Sequence, residues 1–151
     1  MFHADEGIVT TILRSGDTKL LETTELQGLV QLDRIEQGRR KTYRPKTDLK
    51  PFSPVKVGKK LVAEFEVEES GKKFTSKIEY DVQKADTLYI GGCKYDVFQI
   101  QKSDVLHDRA PRFLNSDYYS PILKIVIAKE YRNSNGTTTW IKYDRITPAD
   151  R

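Results

Sequence analysis

The sequence predicts an all-β fold: an antiparallel meander that curls into a strongly curved sheet or incomplete β-barrel of about 9–11 strands. Three observations predict it. Apolar and polar residues alternate with period two over long stretches. Turns containing Gly or Asn punctuate those stretches at short intervals. β-branched and aromatic residues dominate between the turns, and no segment sustains a long helical period.

The strands follow in order. Upstream, Ile8–Leu13, Lys19–Thr24 and Leu29–Ile35 read as strands, and Arg40–Arg44 follows the Gln37-Gly38 turn. Pro45, Pro51 and Pro54 then interrupt residues 45–58. Proline has no N–H to give to a ladder, so this stretch reads as an irregular crossover. Beyond it, Leu61, Ala63, Phe65 and Val67 alternate with Lys60, Glu64, Glu66 and Glu68. Ser70-Gly71 supplies a tight turn. Phe74, Ser76, Ile78, Tyr80 and Val82 then alternate with Lys73, Thr75, Lys77, Glu79 and Asp81. Glu on one strand facing Lys on the next predicts favourable cross-strand pairs. Thr87–Ile90, the Gly91-Gly92 turn and Tyr95–Ile100 form a further strand pair. Residues 102–116 are polar and read as a long loop. Residues 122–132 and Thr137–Ile146, joined by Asn133-Ser134-Asn135-Gly136, make the closing hairpin.

A chain of 151 residues fits a single β domain, 1–151. It divides into N-terminal strands (1–45), the irregular basic crossover (45–58) and the main hairpin sheet (59–146). A piece of roughly 45 residues would make a poor core by itself, so the crossover is a connection within one domain. No stretch approaches the roughly 18 apolar residues of a transmembrane helix. The single cysteine, Cys93, excludes an internal disulfide. Met1–Glu6 has neither a basic nor an apolar signal region, which leaves two settings: the periplasm after removal of a signal, or the cytoplasm.

Charge is unevenly distributed. Residues 39–60 contain nine Lys or Arg and one acid, Asp48, for +8; the whole chain is +4, so the remainder is −4. Arg39, Arg40, Lys41, Arg44 and Lys46 form a candidate anion-binding set, with Tyr43 and Phe52 interleaved as stacking platforms. The competing reading is a solvated connection whose charge offsets the rest of the chain.

Few groups suggest chemistry. His107 with Asp104 and Asp108 is the one local acid–base set, in a polar loop without a spaced nucleophile, and it reads as a solvated loop rather than a catalytic site. Cys93 lies beside Lys94, which would favour a thiolate, but a lone Cys at a strand start more often acts as a small buried hydrophobe. No ligand spacing suggests a metal, no catalytic residue is assigned, and no cofactor is expected. The late aromatic residues could fill the core or line a concave face; Tyr95, Phe98, Tyr119 and Trp140 are the candidates for such a face.

Three segments together carry a family resemblance. They are Pro54-Val55-Lys56-Val57-Gly58-Lys59 before a hairpin, Gly92-Cys93-Lys94-Tyr95-Asp96-Val97-Phe98-Gln99-Ile100, and Tyr118-Tyr119-Ser120-Pro121 before a strand pair. In this order they resemble a group of exported bacterial β-proteins whose sheets are similar to the curved sheets of periplasmic lipoprotein carriers. The resemblance covers roughly residues 54–146. Cys93 and Lys94 stand where that group more often has a small or hydroxyl residue, and Tyr118 where Trp is common. The resemblance implies a periplasmic, non-catalytic bacterial envelope protein. Its partner would be an apolar small molecule, a lipid or an envelope protein, held on the concave face of the sheet. Binding of nucleic acid or another polyanion through residues 39–60 is the alternative.

Overall fold

The computed structural model describes residues 7–105 and 110–146. Ten antiparallel strands form one sheet in strict sequence order. They are β1 (Ile8–Ser15), β2 (Thr18–Leu26), β3 (Val30–Glu36), β4 (Arg39–Pro45), β5 (Lys60–Glu69), β6 (Lys72–Ile90), β7 (Cys93–Asp104), β8 (Arg112–Ser120), β9 (Ile125–Arg132) and β10 (Thr138–Lys142). The sheet curls into a half-barrel, as the meander pattern predicts. A sheet of this many twisted strands curls because each strand is rotated in the same sense against its neighbour.

Residues directly opposite in an antiparallel ladder point to the same face. The register therefore defines an inner face from Ala63, Phe65 and Val67 on β5, through Tyr80 and Val82 on β6 and Ile100 on β7, to Tyr119 on β8. These residues are buried in one core cluster with Leu29, Val30, Phe52 and Val55. A second, smaller cluster lies on the opposite face, at the far ends of the long strands: Ile90, Val97, Tyr118, Ile127 and Ala128, covered in part by Ile146.

The crossover is irregular, as three prolines require, but it is not peripheral. A short 3₁₀ turn, Lys50–Phe52, drops Phe52 into the core at 2% exposure. Its ring centroid lies 5.7 Å from that of Tyr80. Leu49 and Val55 pack with it. The crossover thus plugs part of the half-barrel, and Phe52 is a core residue rather than a stacking platform.

Three expectations need correction. Residues 102–104 and 112–116 are strand, not loop: β7 runs to Asp104 and β8 starts at Arg112. The β8 sequence Asn115-Ser116-Asp117 looks like loop, yet all three residues are buried. Thr87–Ile90 is likewise not a separate strand. It continues β6, which absorbs an extra residue in a bulge between Val82 and Lys84. A bulge flips the side-chain alternation and so imitates a break in the sequence pattern. The closing hairpin is shorter than expected, because residues 121–124 form its entry turn and β10 ends at Lys142.

The expected charge pairing of the main hairpin is present: Glu64 stands opposite Lys77 and Glu68 opposite Lys73. The β2–β3 turn is locked against the β8–β9 turn. Gly28, at φ +65°, packs so closely that an added Cβ would lie 2.1 Å from the Lys124 carbonyl oxygen.

Candidate functional site: a charged chamber inside the half-barrel

The inner face changes character along its length. Beyond Tyr80 and Ile100 it becomes charged. Lys102 is opposite Tyr80 and Asn115, while Asp117 is opposite Ile100 and Lys129. Period-two alternation alone therefore puts Lys102, Asn115, Asp117 and Lys129 on the core face. Glu25, on β2, reaches the same group, since it interacts electrostatically with Lys129, Asp117 and Lys102. Side chains from β2 and from β7–β9 can converge only on the concave side of a curled sheet.

Asp117 is the centre of this chamber, at 1% exposure. Its Oδ1 accepts a 2.6 Å hydrogen bond from Asn115 Nδ2. Its Oδ2 accepts no hydrogen bond among the described residues and faces Lys102 Nζ at 3.5 Å. Lys129 Nζ lies 4.0 Å from Oδ1. Lys102 also sits over the Tyr80 ring, 5.7 Å from its centroid. Burial pushes the Glu25 carboxyl above the ordinary carboxylate range; Lys129 and Lys102 oppose the rise and Asp117 adds to it. Burial likewise raises the Tyr143 hydroxyl, which lies near Glu25, Lys129 and Thr11. Two carboxylates and two ammonium groups balance, yet each carries a desolvation cost that an apolar filling would avoid.

The two free edges of the sheet carry exposed apolar residues on this same face. Leu13 on β1 is opposite Leu21, and Ile141 on β10 is opposite Lys129, so both lie on the inner face. They are 52% and 58% exposed on the two unpaired edge strands. A concave face that carries buried charges and exposed apolar edges can receive a molecule that has both characters.

The predicted residues are distributed as follows. Phe98 and Tyr119 stand opposite each other on the inner face, in the main core cluster. Tyr95 belongs to the cluster on the other face. Trp140 lies half exposed against Tyr118, with ring centroids 5.0 Å apart, and Tyr118 donates a 2.8 Å hydrogen bond to Glu130 Oε2. The four aromatic residues thus divide between two faces. Cys93 is exposed at the start of β7, not buried. Asp104 ends β7 and meets Arg112 at 3.7 Å, while His107 and Asp108 lie outside the described residues.

The basic segment is also divided. β4 runs beside the acidic strand β5, so much of its charge is met across the ladder. Arg40 donates two hydrogen bonds to Asp33, at 3.1 and 2.8 Å. Arg44 meets Glu66 at 3.5 Å and Lys46 meets Glu64 at 3.8 Å. Arg39 and Lys41 instead share the inner face with Arg34 and Glu36.

Sequence reasoning missed Glu25, Lys102, Asp117 and Lys129. A signal was present for two of them. Phe98, Ile100 and Lys102 follow one period-two series, as do Tyr119 and Asp117, so a charge continues an apolar face in each.

Fold and chamber together define an open, curled β-meander with a charged interior. No family model matches the chain. No curated protein matches it either. Among solved structures, it is similar to the hypothetical lipoprotein YmcC from Escherichia coli K12, with a TM-score of 0.51 and 11% identity over 94% of this chain and 79% of that one. That likeness is one of fold: a curved all-β sheet of the kind the sequence resemblance implied. Among the described residues, no helix is long and apolar enough to cross a membrane.

Proposed function

We propose that this chain is a non-catalytic, envelope-associated bacterial protein that holds an amphipathic ligand, or an amphipathic segment of an envelope partner, on the concave face of its half-barrel. The observation that carries this reading is the chamber itself. Buried charges around Asp117 share the concave face with exposed apolar side chains on both edge strands, Leu13 and Ile141. A fold stabilised by burial alone would place apolar residues there. The charged floor suits the polar end of a ligand and the apolar edges suit its body. The envelope setting is supported by the resemblance over residues 54–146 and by the fold neighbour, a hypothetical lipoprotein. Periplasmic residence is part of the same proposal.

The test is native mass spectrometry of protein purified from its own host, followed by solvent extraction. An extractable amphiphile is expected with the wild type and not with Leu13→Asp/Ile141→Asp. Protein that is empty by both methods, and that shows no envelope partner on crosslinking, would overturn the reading.

A further inference from the structure

We infer that the half-barrel carries a second site, separate from the chamber, that binds a phosphomonoester at the inner end of the β3–β4 hairpin. A cavity of about 310 Å³ opens there, within the range of small-ligand sites. Three cations line it, Arg34, Arg39 and Lys41, together with the Tyr43 ring. Arg34 donates through Nε and Nη2 to Glu36 Oε2, at 3.2 and 2.8 Å. Lys41 is 4.0 Å from Glu69, beyond hydrogen-bonding distance, and lies over the rings of Tyr43 and Phe74 at 5.5 and 5.6 Å. Arg39 has no hydrogen-bond or ion-pair partner among the described residues.

The two lining carboxylates, Glu36 and Glu69, leave one cation in excess. Arg39 is thus an unengaged guanidinium at a cavity mouth, with its five donors in a planar fork that matches phosphate. A dianionic phosphate between Arg39 and Lys41 would replace the long Lys41–Glu69 contact with a charge-assisted hydrogen bond. Glu36 and Glu69 would then accept from hydroxyls on the body that bears the phosphate. Ligand size follows from the division of the charge on β4 and the residue after it. Arg40, Arg44 and Lys46 are met by Asp33, Glu66 and Glu64, so within residues 39–46 the cations without a close carboxylate, Arg39 and Lys41, both line one small concavity. That suits a single phosphate group better than a polyanionic strand. The site does not depend on the chamber being occupied.

The experiment uses glycerol phosphate as the probe, titrated by NMR against chloride at constant ionic strength. Saturable amide shifts at Arg39, Lys41 and Tyr43 are expected. Arg39→Gln should weaken binding about tenfold, the worth of one charge-assisted bond. Arg40→Gln and Arg44→Gln, which remove the same charge from paired positions, should leave affinity within about twofold. A parallel arm separates the two sources of this chemistry. Sedimentation with phosphatidic acid vesicles but not phosphatidylcholine vesicles, dependent on Arg39, assigns a lipid headgroup; binding of glycerol phosphate alone assigns a soluble ester. Equal losses in the Arg39, Arg40 and Arg44 variants would mean diffuse attraction and overturn the proposal. So would the absence of saturable binding in both arms.

Discussion

Nζ of Lys102 lies 3.5 Å from Oδ2 of Asp117, inside a curled sheet, next to Tyr80 and Ile100 of the main core cluster. That oxygen accepts no hydrogen bond among the described residues, and Asp117 is 1% exposed, so Lys102 is the nearest counter-charge to a carboxylate that burial has taken out of water.

Breaking it should cost more than the pair contributes. Lys102→Met leaves a buried carboxylate whose remaining cation, Lys129, is 4.0 Å away. Stability should fall by about 3 kcal/mol, measured by urea denaturation. The double variant Lys102→Met/Asp117→Leu should recover most of that loss, because both charges are gone. A double variant less stable than either single would show that the pair stabilises the fold outright.

Glu25 gives a pH dependence of defined sign. Its carboxyl is held above the ordinary value of 4.5, first by burial. The folded chain therefore binds its proton more tightly than the unfolded chain does. The resulting stability is present at acid pH and is lost as pH rises from the unfolded value through the raised folded one. Glu25→Gln imitates the protonated form. It should match the wild type at acid pH and exceed it at neutral pH, in urea midpoints taken across that range. A wild-type excess at neutral pH would mean that Lys129 and Lys102 outweigh the burial.

Gly28 tests the link between the two turns that close one end of the barrel. At Gly38, φ is +75° and the space around an added Cβ is empty. Gly38→Ala should cost about 1 kcal/mol for backbone strain alone. At Gly28 the added carbon would also meet Lys124 O at 2.1 Å and Ile125 Cα at 2.8 Å, both backbone. Gly28→Ala should cost at least about 3 kcal/mol, since the β8–β9 turn must shift. Thermal melts of the two variants measure the difference directly. Equal melts would mean that the two turns are free to part.

Much of the fold was legible in the sequence. The alternation of Leu61 to Val67 and of Phe74 to Val82 specified a hairpin and its buried face, because a strand's side chains have period two whatever surrounds them. Strand β8 was illegible for the converse reason. Asn115, Ser116 and Asp117 are polar residues buried among partners from other strands, and polarity in one dimension reads as solvent. Phe52 showed the same limit. Among prolines and lysines it looked exposed, and only the return of the crossover over the sheet buries it against Tyr80.

By itself the sequence determined the class of the fold, the order of most strands and the opposition of Glu64 and Glu68 on β5 to Lys77 and Lys73 on β6, all of which depend on residues near one another along the chain. Tertiary structure decided the functional surface. It turned Arg40 and Arg44 toward Asp33 and Glu66 while leaving Arg39 free at a cavity. It also gathered Glu25 with Lys102, Asp117 and Lys129. The physical reason is curvature. The charges on β2 and on β7 to β9 are distant in sequence and across a flat sheet, and meet only when the sheet curls.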